Sequence, residues 1–390
     1  MIKNRDIIIF ADDWGWYPST IQYIGKILAK YNRIFWIGSL GLRKPKFHFY
    51  DMRRFIVKGI KIIFNKSIKK NPSSIILIHP PVLPFHDYKI IRRYNNYILK
   101  KTISKKVKHY DIKNPILITT TPIIPELIGK LGETSSYYIC LDDFTKFDGA
   151  FKCIGNLEKE LLNNVYACFA VSNSLMQSRK PASGNVFFLP QGVDTDHFQQ
   201  INNKIPDKIR DIKNPIVGYF GLLASYIDLD LIVDCAKAYP DFSFVILGRY
   251  NVDISILNNL ENIHYLGEVP YNNLPSYAKY FDVGIIPFKI NELTIVSNPL
   301  KLLEYLALGI PVVSTKLPEV EKFKDNVFIA ENNKQFIELL SEAVKDNQND
   351  KKESRKKIAE KYSWYTITCN LSNIIENIEK SKSYNNNKRL

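Results

Sequence analysis

The sequence contains little of several residue types that mark specialised protein classes. Only five of its 390 residues are cysteines, and none stands in a Cys-x-x-Cys pair or in the Cys/His spacing of a zinc site. No apolar run approaches the roughly 20 residues that cross a bilayer, and the N-terminal run IIIF is soon followed by two aspartates, unlike a signal peptide. We therefore expect a cytoplasmic protein with reduced thiols that contacts a membrane only peripherally.

Several motifs that define common enzyme classes are also missing. The sequence has no GxxxxGK[ST] loop, no HExxH pair and no GxSxG elbow, which argues against a P-loop NTPase, a zinc protease of that type or an α/β-hydrolase. The composition is 45% hydrophobic and 13% aromatic, as in a globular protein. A chain of 390 residues is long for one core and predicts two domains.

Basic residues are concentrated in one region. The net charge is +15, and residues 51–110 contain 15 Lys and Arg against only Asp51 and Asp87. Such a region attracts nucleic acid, anionic lipid headgroups or an anionic substrate, or is simply a solvated surface. Residues 89–110 (KIIRRYNNYILKKTISKKVKHY) interleave aromatics with base and suit a helix on an anionic membrane surface. Because no nucleic-acid-binding signature accompanies them, we predict no nucleic-acid partner.

Short apolar runs alternate with helix-length amphipathic segments, a pattern typical of parallel sheets with crossover helices. The first series of predicted strands comprises residues 6–11, 33–38, 74–79, 115–120, 137–142, 167–172 and 186–190. The second series comprises residues 216–221, 242–248, 263–267, 282–288, 310–315 and 326–330. Residues 191–215 between them are polar, without sustained periodicity, and read as a linker. The pattern predicts two doubly wound α/β domains with a ligand cleft between them.

The segment NPLKLLEYLALGIPVVST (298–315) predicts a helix over 299–308. Asn298 suits the N-cap, and Gly309 suits the left-handed residue after the last turn. Lys301 and Glu304 share one face, three residues apart. A phosphate would bind the free N–H groups of the first turn beside Lys301, while Glu304 would accept hydrogen bonds from a diol such as ribose. The alternative is an ordinary ion pair on a helix surface.

This segment resembles the signature helix of retaining GT-B glycosyltransferases of the family 4 type, with the pattern P-x-K-x-x-E-x-x-A-x-G-x-P-V-V. The resemblance covers most of the chain and is closest over 215–320. It continues in GYFGLL (218–223), DFSFVILGR (241–249), the segment 263–288, KYSWYTIT (361–368), YYICLDDF (137–144) and VFFLPQGVDTDHF (186–198). ADDWGWYPST (11–20) resembles the opening of the subgroup linked to teichuronic acid and capsule synthesis.

The resemblance implies roles for individual residues on the donor side. Glu304 would hold the donor ribose, and Lys301 the diphosphate. The remaining implied contacts are Ser297 and Asn298 to the phosphates, Arg249 and Val269 beside the base, and Gly15 where backbone approaches the diphosphate. No metal is implied, because the helix terminus and Lys301 would neutralise the leaving diphosphate.

The sequence departs from the family pattern at two places. The family's first glutamate stands eight residues before the second, where this chain has Val296, and Glu292 is four positions too early. The loop GLLASYIDLD lacks the usual basic pair, which Arg249 and Lys301 would replace. These departures leave open a non-catalytic subunit that supports a partner transferase. A nucleotide-sugar 2-epimerase of the same architecture, or a binding module built on 51–110, are further alternatives.

Candidate catalytic residues follow predicted strands of the first domain. His79 ends one strand, Asp142 and Asp143 follow another, and Asp12 and Asp13 are similar strand-end candidates. A carboxylate in the cleft would orient the acceptor hydroxyl or stabilise positive charge developing on the sugar. The alternative is that His79 is a packed strand-end residue and that the aspartates cap a loop.

By this resemblance we expect a GT-B fold with an acceptor-binding domain at 1–200, a donor-binding domain at 210–364, and a C-terminal helix at 365–385 that packs back onto the first domain. The expected reaction transfers a sugar, with retention, from a nucleotide-diphosphate sugar to a saccharide or lipid-linked acceptor. Uracil and guanine both remain open as the base, with uracil favoured. The expected setting is bacterial surface polysaccharide synthesis at the inner face of the cell membrane.

Overall fold

The chain divides into two compact units. The computed structural model describes residues 1–15, 18–38, 40–41, 74–147, 149–200, 205–346 and 349–387. The first unit comprises Met1–Leu189 with Ile367–Leu390, and the second comprises Pro190–Thr366. The stretch 51–73 of the basic region lies outside the described residues.

In the first unit the described strands form one parallel sheet in the order β3-β2-β1-β4-β5-β6-β7. These strands are β1 Asp6–Phe10, β2 Arg33–Ile37, β3 Ile75–Ile78, β4 Ile116–Thr119, β5 Ser135–Cys140, β6 Ala167–Ala170 and β7 Val186–Phe188. The described helices before the second unit are α1 Thr20–Leu28, α2 Lys89–His109, α3 Ile154–Asn164 and α4 Asn173–Ser178. Strand order reverses between β1 and β4, where Ile8 is in register with Leu117.

The second unit also contains one parallel sheet, in the order β10-β9-β8-β11-β12-β13. Its strands are β8 Ile216–Phe220, β9 Ser243–Leu247, β10 Ile263–Gly267, β11 Val283–Ile286, β12 Val312–Thr315 and β13 Phe328–Ala330. Its described helices are α5 Thr195–Gln199, α6 Asp207–Arg210, α7 Leu229–Ala238, α8 Leu274–Ala278, α9 Glu292–Ile295, α10 Leu300–Leu308, α11 Asn333–Lys345 and α12 Asn349–Lys361. Strand order reverses between β8 and β11, so the carboxyl edge of this pair is where doubly wound sheets bind ligands.

The described parts of the stretch that reads as a linker, residues 191–200 and 205–215, are packed in the second unit. Residues 190–200, which the sequence placed in the first domain, belong to this unit. Val193, Phe198 and Ile209 are buried in its core, and Phe198 stacks on Phe220 at 6.4 Å between ring centroids. Helices α5 and α6 are five and four residues long, which is too short to show a helical period in the sequence.

The last helix, α13 Trp364–Asn387, begins in the second unit and belongs from Ile367 onward to the first. Within the first unit, Tyr137 donates a hydrogen bond to Glu379 at 3.2 Å. Arg5 lies 3.6 Å from the same carboxylate. The C-terminal segment is therefore tied to β1 and β5 of the first unit.

Candidate functional site

Helix α10 carries Lys301 and Glu304 and has well-defined ends. Its N-cap is Pro299, whose side chain cannot accept a capping hydrogen bond, so the prediction that Asn298 is the N-cap is wrong by one residue. At the other end Gly309 adopts a left-handed φ of 78°. The amides of Gly309 and Ile310 donate to Leu306 and Tyr305, which closes the helix as a Schellman motif. The N-cap residue Pro299 thus provides no side-chain hydrogen bond to the N-terminal amides of α10.

Gly284 lets α10 lie close against the sheet, and Gly218 beside it accepts a hydrogen bond from this helix. Gly218 of β8 and Gly284 of β11 are in register at the point where the strand order reverses. A Cβ on Gly284 would lie 2.6 Å from the ring of Tyr305, so any larger residue would displace this helix. Tyr305 in turn donates a hydrogen bond of 3.1 Å to the carbonyl of Gly218. The buried tyrosine thus fixes α10 over the switch point of the sheet.

The Lys301 side chain lies at the carboxyl edge of β8 and β11. Its Nζ is 5.2 Å from the ring centroid of Tyr219 and 5.6 Å from that of Phe288, within range of cation–π attraction. A Cβ on Gly221 would lie 2.7 Å from the same Nζ, so a larger residue would force the lysine side chain to shift, and the φ of 134° at Gly221 itself favours glycine. Burial lowers the pKa of Lys301, while Glu304 acts in the opposite direction.

Glu304 lies one turn further along the same face of α10 and is only partly exposed. Burial raises the pKa of its carboxyl to about 7, and Lys301 opposes this shift without cancelling it. Among the described residues, none donates a hydrogen bond to the Glu304 carboxylate or forms an ion pair with it within 4.0 Å. Because its carboxylate is partly exposed, Glu304 is open to accept hydrogen bonds from water or from the hydroxyls of a ligand.

The arrangement can bind an anion beside a hydroxylated ring. Uncapped amides at the start of α10 attract a phosphate, and the Lys301 ammonium adds a full positive charge next to them. Glu304 lies one turn away and can accept hydrogen bonds from vicinal hydroxyls. This combination of groups is chemically complementary to a nucleoside diphosphate.

The other donor-side candidates lie at the same edge of the second sheet. Arg249 is exposed, and its carbonyl accepts a hydrogen bond from Leu223, two residues after Gly221. Val269 is half-buried, two residues beyond the end of β10. The Ser297 hydroxyl donates to the Thr294 carbonyl at 2.8 Å, and Asn298 is half-buried directly before Pro299. Their assignment to a ligand stays a prediction.

In the first unit, candidate residues meet at the ends of β1, β2 and β3. A Cβ on Gly38 would lie 2.9 Å from Asp13 Oδ1 and 3.6 Å from His79 Nδ1, so both side chains converge on this glycine. Gly15 has a φ of 76°, and its amide donates to Gln22 at 3.0 Å. The structure therefore brings His79 and Asp13 together, which their positions 66 residues apart in the chain did not predict.

Asp143 is held in a buried ion network. Its carboxylate accepts a bond of 2.8 Å from Arg179 and another of 3.0 Å from the Thr145 amide. Arg179 also lies 3.3 Å from Glu158, which accepts a bond of 2.7 Å from the Tyr138 hydroxyl. Burial alone would raise the pKa of Asp143, but the bonds from Thr145 and Arg179 lower it below its usual value.

These contacts give Asp143 a structural role at the start of a single helical turn over Phe144–Lys146. The neighbouring Asp142 is half-buried, and none of the bonds given above for that network involves its carboxylate. The catalytic assignments of Asp142, Asp143 and His79 stay predictions. Among the described residues, no three His, Cys, Asp or Glu side chains are grouped as a metal site.

Sequence reasoning missed the residues that hold Lys301 in place. The rings of Tyr219 and Phe288 lie beside the Lys301 ammonium, and Gly221 leaves space for it. Tyr305 holds the helix itself against the sheet at Gly284. A usable signal was present, since aromatic residues close both strands that flank the switch point. That signal becomes readable only when the strand order is known.

Comparison with known proteins places this site in a family context. Residues 214–346 match the family model described as Glycosyl transferases group 1. Over its whole length the structure resembles sucrose-phosphate synthase from Thermosynechococcus elongatus, with a TM-score of 0.71 at 12% identity, covering 97% of this chain and 100% of that one. It also resembles Anabaena Alr3699/HepE in complex with UDP-glucose, with a TM-score of 0.67 at 12% identity, covering 95% and 99%.

The chain has a GT-B fold, and its residues 214–346 match the glycosyl transferases group 1 model. It is also 30% identical over 190 residues to Bacillus subtilis (strain 168) TuaH, which carries the name of a teichuronic acid biosynthesis glycosyltransferase. That alignment covers 46% of this chain and spans about half, 48%, of the relative. The expected fold class is thus confirmed.

The group 1 domain contains every donor-side candidate of the second unit. Lys301, Glu304, Arg249, Val269 and the pair Ser297 and Asn298 all lie within the matched residues 214–346. Gly15, His79, Asp142 and Asp143 lie outside them, in the other unit of the GT-B protein. No described helix is long and apolar enough to cross a bilayer.

Proposed function

We propose that this GT-B protein transfers a sugar from a nucleotide-diphosphate sugar, of the UDP type, to a saccharide or lipid-linked acceptor, with retention at the anomeric carbon. The observation that carries the proposal is the arrangement of α10. It presents Lys301 and a partly exposed Glu304 carboxylate, which accepts no hydrogen bond from a described residue, beside a helix start whose N-cap Pro299 makes no side-chain bond, at the switch point of the second sheet. The second unit then binds the donor, and the first unit binds the acceptor.

In the proposed reaction, the bond from the anomeric carbon to the diphosphate oxygen breaks and a bond to the acceptor oxygen forms. The diphosphate leaves with the bonding electron pair, and its departing oxygen accepts the proton that the acceptor hydroxyl loses. Lys301 and the amides of α10 stabilise the charge that develops on this leaving group, without a metal ion. Glu304 holds the ribose, while Arg249 and Val269 lie beside the base.

Two relatives support the substrate class and the biological setting. Alr3699/HepE, of the same fold, is described in complex with UDP-glucose, which supports a UDP-sugar donor. The name of TuaH supports a role in bacterial surface polysaccharide synthesis, such as a capsule or teichuronic acid. We place the protein in the cytoplasm, peripherally bound at the inner face of the cell membrane, where a lipid-linked acceptor would be found.

The proposal is tested by calorimetric binding of UDP, GDP, ADP and CMP to the wild type and to Glu304→Ala. We expect UDP to bind, and Glu304→Ala to lose about 1.5–3 kcal/mol of affinity, as removal of a charged hydrogen-bond partner costs. Glu342→Ala is the matched control, because Glu342 is an exposed glutamate on another helix of the same unit. Binding of a different diphosphate would correct the base but keep the donor site.

A second candidate, a non-catalytic subunit, is favoured by one observation. Val296 ends α9 where the family places its first glutamate, and a hydrocarbon side chain makes no hydrogen bond to a sugar hydroxyl. Failure of all four nucleotides to bind would favour this candidate. Formation of an epimerised nucleotide sugar without an acceptor would instead identify a 2-epimerase.

A further inference from the structure

The outward face of α2 and the turn before it expose an unusual number of large apolar side chains. Ile90 is 80% exposed, Tyr97 62% and Tyr94 45%, and these residues recur at positions that share one face of the helix. In the preceding segment Tyr88 is 65% exposed and Leu83 43%. Single exposed apolar residues are ordinary, but a contiguous group of them marks a binding surface.

Internal hydrogen bonds hold this aromatic group in shape. The buried side chain of Asn95 donates to the Leu83 carbonyl and accepts from the Leu83 amide, both at 2.8 Å. Arg92 donates to the His86 carbonyl at 2.7 Å. Leu99 and Ile103 are buried on the opposite face. The loop and the first half of α2 therefore form one preorganised surface, whose apolar side chains point outward although the helix has its own core face.

The second half of the same outward face is basic. Lys100, Lys101, Lys105 and Lys108 are exposed, and none of them forms an ion pair with a described residue. The sequence from 88 to 110 contains no acidic residue. Lys101 Nζ lies 5.7 Å from the ring of Tyr97, where the aromatic half meets the lysine half. The surface thus carries an apolar anchor and a positive field side by side.

We propose that this face of the first unit, which we call the α2 surface, docks onto an anionic lipid bilayer. It comprises residues 83–90 and the outward positions of α2 up to Lys108. Its aromatic half lies at the boundary of headgroups and acyl chains, and its lysine half contacts anionic headgroups. The inference deepens the proposed function, on which it rests for the lipid-linked acceptor, because docking would hold the enzyme at its substrate.

Other occupants explain the surface less well. Single-stranded nucleic acid would use the tyrosines and lysines but gains nothing from Ile90 and Leu83. Residues 42–73 of this chain carry ten Lys and Arg against Asp51 alone, so their charge opposes binding to the lysine half. A bilayer matches both halves, since it offers an apolar layer beneath a negative surface.

The experiment measures sedimentation of the full chain with vesicles of phosphatidylcholine, with and without phosphatidylglycerol. We expect binding only with phosphatidylglycerol, and release at about 1 M salt, where screening is nearly complete. Replacing Lys100, Lys101, Lys105 and Lys108 by Gln should weaken binding at least tenfold, since each lysine near such a surface is worth about fivefold. The variant Ile90→Ser/Tyr94→Ser/Tyr97→Ser should weaken it by a similar factor.

Two controls separate this surface from net charge and from polarity. Replacing the four exposed lysines Lys324, Lys334, Lys345 and Lys357 of the second unit by Gln removes the same charge and should leave vesicle binding within twofold. Tyr94→Phe/Tyr97→Phe keeps the aromatic area and should retain binding. Hydrogen exchange should show protection confined to 83–109 when anionic vesicles are present.

Three results would overturn the inference. They are no binding of the wild type to anionic vesicles, equal loss in the second-unit lysine variant, and tighter binding to single-stranded oligouridine than to vesicles. UDP calorimetry on the same proteins keeps the two proposals apart. A chain that binds UDP but no vesicles disproves the docking surface alone, and one that binds vesicles but no nucleotide disproves the proposed donor site alone.

Discussion

Asp143 in the first unit and Glu304 in the second are carboxylates near the carboxyl edge of their sheets, and they differ in their hydrogen bonds: Asp143 is buried, whereas Glu304 is partly exposed. In the first unit, Asp143 accepts bonds from Thr145 and Arg179, and its pKa is lowered although it is buried. In the second unit, burial raises the pKa of Glu304 to about 7, and only Lys301 opposes the shift. The first carboxylate has its donors within the protein, and the second lacks them among the described residues.

This difference separates a structural charge from one that is ready for a ligand. A carboxylate removed from water costs several kcal/mol unless hydrogen bonds compensate it. Arg179 supplies that compensation to both Asp143 and Glu158. No described residue donates a hydrogen bond to the Glu304 carboxylate. The hydroxyls of a bound diol would donate those hydrogen bonds. Four predictions test this contrast.

The largest effect is expected at the glycines that shape the edge of the second sheet. In Gly248→Ala the new Cβ would lie 1.8 Å from the Gly221 carbonyl oxygen, at a φ of 144°. Backbone strain and overpacking together should cost at least about 4 kcal/mol. Calorimetric melting should show a strongly lowered transition for the second unit, with loss of nucleotide binding.

The matched control for this change is Gly184→Ala in the first unit. Gly184 also has a positive φ, 73°, but a Cβ there would meet no atom within 4 Å. Gly184→Ala should lower the free energy of unfolding only by the cost of a left-handed backbone at alanine, about 1 kcal/mol. Equal melting shifts in the two variants would mean that the contact between Gly248 and Gly221 does not shape the site.

The next effect should come from breaking the ion network of the first unit. Arg179→Met leaves Asp143 and Glu158 buried without their cation, which should cost about 3–5 kcal/mol of stability. Thermal unfolding measures the loss. Arg93→Met, at an exposed position, should change stability by less than about 0.5 kcal/mol. A mild effect of Arg179→Met would show that water satisfies Asp143, and the contrast with Glu304 would weaken.

Neutralising each carboxylate in a separate variant should affect ligand binding in one case and stability in the other. Glu304→Gln should weaken UDP binding by about 1.5–3 kcal/mol, because a charged acceptor is lost. Asp143→Asn should leave UDP affinity within about twofold while lowering the melting temperature, since its partner Arg179 is left buried. Titration calorimetry and melting on both variants give the four values. Loss of UDP binding in Asp143→Asn would contradict the division of roles.

The fold was readable from the sequence because buried parallel strands are short apolar runs. All thirteen described strands overlap the predicted ones, from Asp6–Phe10 to Phe328–Ala330. The stretch 191–215 was misread because its short helices bury single residues such as Phe198 and Ile209, which leave no periodic pattern. Whether such a segment is packed into a domain depends on tertiary contacts, which a local sequence pattern does not show.

The candidate site was only partly readable, for a related reason. Lys301 and Glu304 stand three residues apart in one helix, so their common face follows from local geometry. The support from Tyr219 and Phe288 depends on strand order, and the ion pair between Asp143 and Arg179 joins residues 36 positions apart. Local spacing therefore identified the charged pair, whereas only the structure showed which carboxylates are already satisfied.

The smallest predicted effect is a pH dependence that belongs to Glu304 alone. If its carboxyl titrates at about 7 in the free protein and binds a diol as the carboxylate, UDP binding must release a proton below that pH. Affinity should then rise with pH up to about 7, by at most tenfold per unit, and level off above it.

The phosphates of UDP titrate in the same range, so the informative quantity is the difference in UDP affinity between the wild type and Glu304→Gln, in which only the ligand's own titration remains. Calorimetry in buffers of different ionisation enthalpy counts the protons directly. Parallel profiles in the two proteins would mean that Glu304 is already ionised at low pH, and its resemblance to the satisfied Asp143 would then be closer than its contacts suggest.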